Sequence, residues 1–261
     1  MKYRKVVNGF WSWMMIILFG VMGGITSCTT DNDVIDNSLD NKSLGVSASG
    51  LLSSERFNKL VLEVMYMKGF APEQSTVDSL LSMLDSLIDK PNGIQLIWTE
   101  VESPGFRSYT LNDIKVMESN NRTQFSSGST IAVSAFFVDG DYAGNTQNGV
   151  VLGLAYANTS FVMFEKTIHE ITDQILEPDR ELMEQTVINH EFGHLLGLVN
   201  VGSPMQKMHQ DEAHEGHCNN ENCLMYYTAE TGTIADKLLG LSKAPFFDQN
   251  CLNDLKANGG K

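Results

Sequence analysis

The sequence predicts an α+β fold with a mixed β-sheet, and three observations carry that prediction. Apolar residues recur three and four apart over residues 55–89, β-branched runs follow between residues 93 and 168, and a long helical pattern then carries His190-Glu191-Phe192-Gly193-His194-Leu195-Leu196-Gly197. With 261 residues and 42% hydrophobic content the chain can bury one sizeable core, so a single domain over residues 51–261 is expected. No internal repeat, no Gly-rich phosphate loop before a helix and no Ser/His/Asp arrangement competes with the last of these features.

Residues 1–27 place Lys2, Arg4 and Lys5 ahead of an apolar stretch from Phe10 to Ile25, the pattern of a secretory signal peptide. The stretch is short for a membrane-spanning helix, which leaves an uncleaved transmembrane anchor as the second reading. The run Ile25-Thr26-Ser27-Cys28 resembles the lipobox of bacterial lipoproteins. That resemblance implies that Cys28 is lipidated and anchors the chain to the outer membrane, at the cell surface or on the periplasmic face. Residues 28–50 contain Asp31, Asp33, Asp36 and Asp40 with few large apolar groups, so they read as a disordered acidic tether. An acidic run beside a lipidated cysteine is similar to the export signal of surface lipoproteins. Without residues 1–27 the chain carries 15 basic and 32 acidic groups, which argues against nucleic acid as a partner and leaves membrane contact to the lipid.

Residues 55–68 and 73–89 show helical spacing and are separated by Gly69, with Pro91-Asn92-Gly93 as the next break. They read as two amphipathic helices, making residues 51–92 an N-terminal helical segment. Residues 93–101, 130–138, 150–157 and 161–168 read as strands of one sheet, with polar loops at 119–128 and 139–149. Residues 182–199 then read as a helix, with Glu181 and Glu184 in its first turns and Gly197 as a stop signal.

That helix carries the chemistry. In H-E-x-x-H the two histidines lie four apart on one helical face, so His190 and His194 can present ring nitrogens to one metal ion, with Glu191 beside them as general base. Zinc held by neutral imidazoles acidifies a water at its open position, which suits amide hydrolysis. Five of the six histidines lie between His190 and His217, a clustering that packing does not require. For the third ligand, Asn200 occupies the position three after Gly197, where an amide oxygen is a weak zinc donor, and His209, Asp211, His214 and His217 follow in a polar stretch. His209, Asp211 and His214 also have the spacing to hold a second ion or to face solvent.

H-E-x-x-H-x-x-G followed by a third ligand and a downstream methionine resembles the metzincin zinc peptidases, and His217-Cys218-Asn219-Asn220-Glu221-Asn222-Cys223-Leu224-Met225 is similar to the H-C-x-x-x-x-C-x-M run of archaemetzincins. The resemblance covers about residues 186–251 and implies a metzincin-like zincin fold. It implies His217 as third ligand, placed 17 residues later than the metzincin spacing, with His214, His209 and Asn200 as the alternatives. It further implies Met225 as the Met-turn beneath the metal, Tyr227 as a candidate stabiliser of the tetrahedral intermediate, and residues 162–166 as an edge that pairs with extended peptide. Archaemetzincins also hold a structural zinc through four cysteines. Cys218, Cys223 and Cys251 match three of these and Asp248 stands at the fourth, so the cluster is either a mixed-ligand zinc site or a disulfide with one odd thiol, the disulfide being favoured by export.

The function these features predict is a zinc metallopeptidase, an endopeptidase rather than an exopeptidase, acting on peptide or protein outside the cytoplasm. The alternatives are an inactive surface binding module on a metzincin scaffold and a zinc hydrolase of cell-wall peptides.

Overall fold

The structure, a computed structural model, describes residues 39–147, 149–174 and 176–261. The expected signal peptide and the lipidation of Cys28 lie outside the described residues. The element order is α1 (Ala48–Leu52), β1 (Lys59–Met67), α2 (Gln74–Leu87), β2 (Ile94–Val101), β3 (Ser108–Tyr109), α3 (Leu111–Asn121), β4 (Thr130–Phe137), β5 (Asp141–Tyr142), β6 (Gly153–Ala157), β7 (Ser160–Met163), α4 (Glu165–Thr172), α5 (Arg180–Leu195), a 3-10 turn (Tyr227–Glu230), α6 (Ile234–Leu238) and α7 (Gln249–Ala257).

Five strands form the main sheet in the order β2-β1-β4-β7-β6, parallel throughout except for β6, which runs antiparallel to β7 at one edge. Leu62 and Val64 of β1 face one apolar layer with Leu80 and Leu84 of α2 and Val187 and Phe192 of α5. Met65 and Met67 face the other, with Phe136, Val162 and Ile114 of α3. This alternation along one strand is what a sheet covered on both faces requires.

Three sequence expectations need correction. Residues 59–67 are strand β1 and not part of a helix, because β1 lies between β2 and β4 with both faces covered, so its apolar run carries no period that distinguishes strand from helix. Residues 161–168 are not one strand: β7 ends at Met163 and α4 starts at Glu165. The tether is shorter than expected, since residues 39–50 are packed on the domain. Asp40 is buried and accepts from the Ser126 backbone N–H at 2.7 Å, while the Asn158 amide donates to the Leu39 carbonyl at 2.7 Å and to Ser47 Oγ at 2.6 Å.

The expected loop at 119–128 also begins inside α3, whose Thr110–Asp113 capping box holds its N-terminus. Buried Glu63 of β1 fixes the chain beyond α3 by accepting from the backbone N–H groups of Thr123 and Gln124 at 2.9–3.1 Å. Among the described residues, no helix is long and apolar enough to cross a membrane.

Candidate metal centre

Helix α5 starts on Asp179, whose side chain accepts from the Leu182 N–H, and crosses the core with residues 186–195 buried. It stops at Leu195 rather than 199. Gly197 has φ +74°, and a Cβ there would lie 2.6 Å from the Ser203 nitrogen, so only glycine lets the chain fold back at this point. Beneath the helix, a Cβ on Gly193 would lie 2.4 Å from Met225 Sδ, so the buried methionine packs directly against the turn that carries the two histidines.

The structure brings His190, His194 and His217 together with Glu230, one donor atom of each lying within 4.8 Å of the others. His190 Nδ1 donates to the Leu224 carbonyl at 2.7 Å and His217 Nδ1 to the Glu215 carbonyl at 3.1 Å, which turns both Nε2 lone pairs inward. The Nε2 atoms of His190 and His194 stand 3.1 Å apart, and His217 Nε2 is buried without a hydrogen-bond partner. Burial, then the neighbouring His190, holds the His194 pKa well below the usual histidine range. Three imidazoles whose Nε2 atoms converge are a donor set that zinc takes, so the residues present fit the ion.

Glu191 is fully buried and neither of its carboxylate oxygens has a hydrogen-bond partner. It lies against β6, where a Cβ on Gly153 would come within 2.7 Å of its Oε1. Burial first, and then the charge of Glu230, raise its pKa well above the usual carboxylate range, the direction expected of a proton acceptor in a closed site.

Glu230 was not found by sequence reasoning. Its carboxylate faces all three rings, with Oε1 3.5 Å from His217 Nε2 and Oε2 3.7 and 3.9 Å from the Nε2 atoms of His190 and His194. Burial pushes its pKa up, but the imidazoles of His190, His217 and His194 outweigh this and hold it below the usual range. A glutamate five positions after Met225 fits no periodic or motif pattern, so the sequence carried no signal for it. Its backbone is pinned by the Leu152 N–H donating to the Glu230 carbonyl at 2.8 Å.

The other sequence candidates lie elsewhere. Asn200 is exposed in the turn after α5 and does not join the cluster. His214 bonds Asp211 at 2.8 Å and stacks on Tyr227 with ring centroids 3.7 Å apart, so that tyrosine is held by the loop histidine. Residues 162–166 do not form an edge: Val162 and Met163 sit in β7, inside the sheet, and the edge strand is β6.

No protein-family model and no curated protein sequence matches this chain. Among solved structures, the crystal structure of archaemetzincin (amzA) from Methanopyrus kandleri aligns with a TM-score of 0.50 and 16% identity, covering 77% of this chain and 96% of that one. The fold is archaemetzincin-like.

Within this archaemetzincin-like fold the three described cysteines are buried free thiols, with Cys223 Sγ and Cys251 Sγ 3.6 Å apart, so the expected disulfide is not formed. Asp248 caps α7 by accepting from the Cys251 N–H at 3.0 Å, and its other oxygen lies 3.6 Å from Cys218 Sγ. His209, which sequence reasoning offered to the catalytic ion, belongs to this cluster instead. Its Nδ1 is 3.4 Å from Cys218 Sγ, and its Nε2 donates to buried Asp254 at 2.7 Å. A histidine that donates from one nitrogen to a carboxylate and turns the other towards a metal is a common arrangement around zinc.

Proposed function

We propose that this chain is a zinc-dependent metallopeptidase. The observation that carries the reading is the convergence of three imidazoles, two with their outer nitrogens fixed by carbonyls, beside the unpartnered buried carboxylate of Glu191. Held by His190, His194 and His217, zinc supplies Lewis acidity towards a carbonyl and towards water. Glu191 accepts the proton of the attacking water and returns it to the leaving amine. Its burial keeps competing hydrogen-bond donors away, and Gly153 leaves the space that its side chain occupies.

Substrate enters along β6. Among the described residues this strand pairs only with β7, so its outer edge is free to take an extended peptide by strand addition, which favours cleavage inside a chain over removal of terminal residues. Export and lipidation at Cys28, with attachment to the outer membrane, belong to the same proposal. They rest on the basic, apolar and lipobox-like order of residues 1–28.

A second zinc, structural in role, fits His209, Cys218, Asp248 and Cys251, whose donor atoms converge, with Cys223 Sγ 3.6 Å from Cys251 Sγ. In this reading Asp248 stands where the archaemetzincin pattern has its fourth cysteine, and the loop histidine joins the set.

The decisive experiment measures bound zinc and hydrolysis of an unfolded protein for the chain and for Glu191→Ala. We expect zinc to be retained while turnover falls by roughly 10²–10⁴-fold, the range for a lost general base. Unchanged turnover would falsify the mechanism. Absence of activity in the unaltered chain on proteins and on cell-wall peptides alike would favour the inactive scaffold, a reading to which Glu230, facing all three imidazoles, lends support.

A further inference from the structure

A third group of ligand-type side chains, shared between α4 and the start of α5, is used neither by the hydrolytic mechanism nor by the cysteine site. Helix α4 begins with Glu165 and carries His169 four residues on, so both stand on one helical face, and Glu184 of α5 meets them. One donor atom from each of the three lies within 4.8 Å of the others. Glu165 and Glu184 are fully buried, whereas the His169 side chain keeps 20% of its surface exposed, so the cluster has a deep end and a way in.

The hydrogen bonds here do not close. Glu184 Oε2 accepts from Thr76 Oγ1 at 2.7 Å and from the Glu73 backbone N–H at 3.0 Å. Glu184 Oε1 and both oxygens of Glu165 are buried with no hydrogen-bond partner. His169 Nε2 stands 3.1 Å from Glu165 Oε1 but lacks the alignment of a hydrogen bond. Arg180, the cation whose charge reaches Glu165 and His169, is engaged by Asp173 and by Thr172 Oγ1. Unpaired buried carboxylate oxygens are costly, so something must fill this gap, either a shared proton or a cation.

The imidazole favours the cation. His169 Nε2, 3.1 Å from Glu165 Oε1 without a hydrogen bond between them, is a third donor that a proton shared between two carboxyls does not need. The anchoring of Glu184 Oε2 by Thr76 and Glu73 leaves Oε1 aimed inward, as outer-shell bonds do for a ligating carboxylate. One nitrogen with two carboxylates suits a first-row transition-metal dication better than Ca²⁺, which prefers oxygen alone.

We propose that Glu165, His169 and Glu184 form a separate site for a divalent transition-metal ion, with Zn²⁺ and Mn²⁺ as probes, which clamps α4 and the start of α2 to the active-site helix. The site stands apart from the catalytic centre, since Glu184 and His190 are separated by about 9 Å along α5 at 1.5 Å per residue. The reading does not depend on peptidase activity.

The test counts metal. The chain and its Glu165→Gln and His169→Gln variants are stripped of metal, loaded separately with Zn²⁺ and with Mn²⁺, dialysed and subjected to elemental analysis. Each variant is expected to bind one ion fewer per chain than the unaltered protein while keeping the ions of the other clusters. His169→Gln changes a partly exposed side chain and guards against a folding failure in the buried variant. In the same samples, added metal should raise the thermal midpoint of the unaltered chain more than that of either variant. Equal metal content in all three proteins would overturn the proposal and leave the cluster as a proton-sharing carboxyl pair.

Discussion

At the scale of single residues, the proposed catalytic geometry depends on positions outside the H-E-x-x-H motif. Gly153 is an unremarkable edge-strand residue in the sequence, yet a Cβ there would lie 2.7 Å from both Glu191 Oε1 and Val187 Cγ1. Gly153→Ala should therefore displace the proposed general base, Glu191, without removing it. The expected result is a fall in kcat on the order of tenfold or more, with zinc content unchanged, since misplacing a reacting group by about 1 Å costs that much. Equal kcat in steady-state assays would refute the role given to this glycine. Glu230 poses the opposite case, a charged group in the site that no motif identifies. Its carboxylate lies 3.5–3.9 Å from three imidazole nitrogens, so in the proposed site it would add to metal retention either as a ligand or as an outer partner. Glu230→Ala should weaken zinc binding by about 10–100-fold, as read by competition with a chelating dye. His190, Glu191 and His194 were legible because a helix puts positions four apart on one face. Glu230 was not, because the turn that aims it is set by tertiary contacts.

At the scale of elements, α4, α5 and the start of α2 are joined through Glu165 and Glu184, and this junction gives stability a pH dependence. Both carboxyls have folded-state pKa values raised by burial, to about 7 and about 8, above the usual carboxylate range. The native state therefore holds protons that the unfolded chain has released. Stability from this pair is complete below the unfolded pKa and is lost as pH rises from about 4.5 to about 8. For the metal-free chain, the stability of Glu165→Gln relative to the unaltered protein should rise across that window, by an amount on the order of 1–3 kcal/mol. Melting curves at pH 5 and pH 8 check this, and a constant difference between the two proteins would refute it. The same elements show where periodicity works and where it fails. Helix α2 was legible from its single apolar stripe, which includes Val77, Leu80 and Leu84. Strand β1 was not, because Leu60–Met65 are covered on both faces and a continuous apolar run has no period. Helix α3 buries only Ile114 and Glu118 and so left almost no apolar pattern to read.

At the scale of the whole molecule, the chain between α5 and α6 carries His217 and Glu230 and has little regular structure of its own. Its position is fixed from the C-terminus: Cys251 and Asp254 of α7 meet Cys223 and His209, while the Gln206 N–H donates to Asp254 Oδ1 at 2.7 Å. The sequence resemblance located the cysteines, but His209 and Asp254 were beyond it, since their pairing joins residues 45 positions apart. If that corner positions the third catalytic histidine, damage there must reach both stability and metal at a distance. Asp254→Ala leaves His209 without its buried partner, a loss of roughly 3 kcal/mol by comparison with other broken buried pairs. That corresponds to a fall of roughly 6–12 °C in thermal midpoint for a domain of this size. We expect the same variant to weaken zinc at His190, His194 and His217 although it touches none of them, because His217 and Leu224, whose carbonyl orients His190, lie on the segment it loosens. Measuring midpoint and zinc content together separates the outcomes. A lower midpoint with full catalytic zinc would make the C-terminal corner a source of stability alone, whereas loss of both would make it part of the apparatus that holds the third ligand.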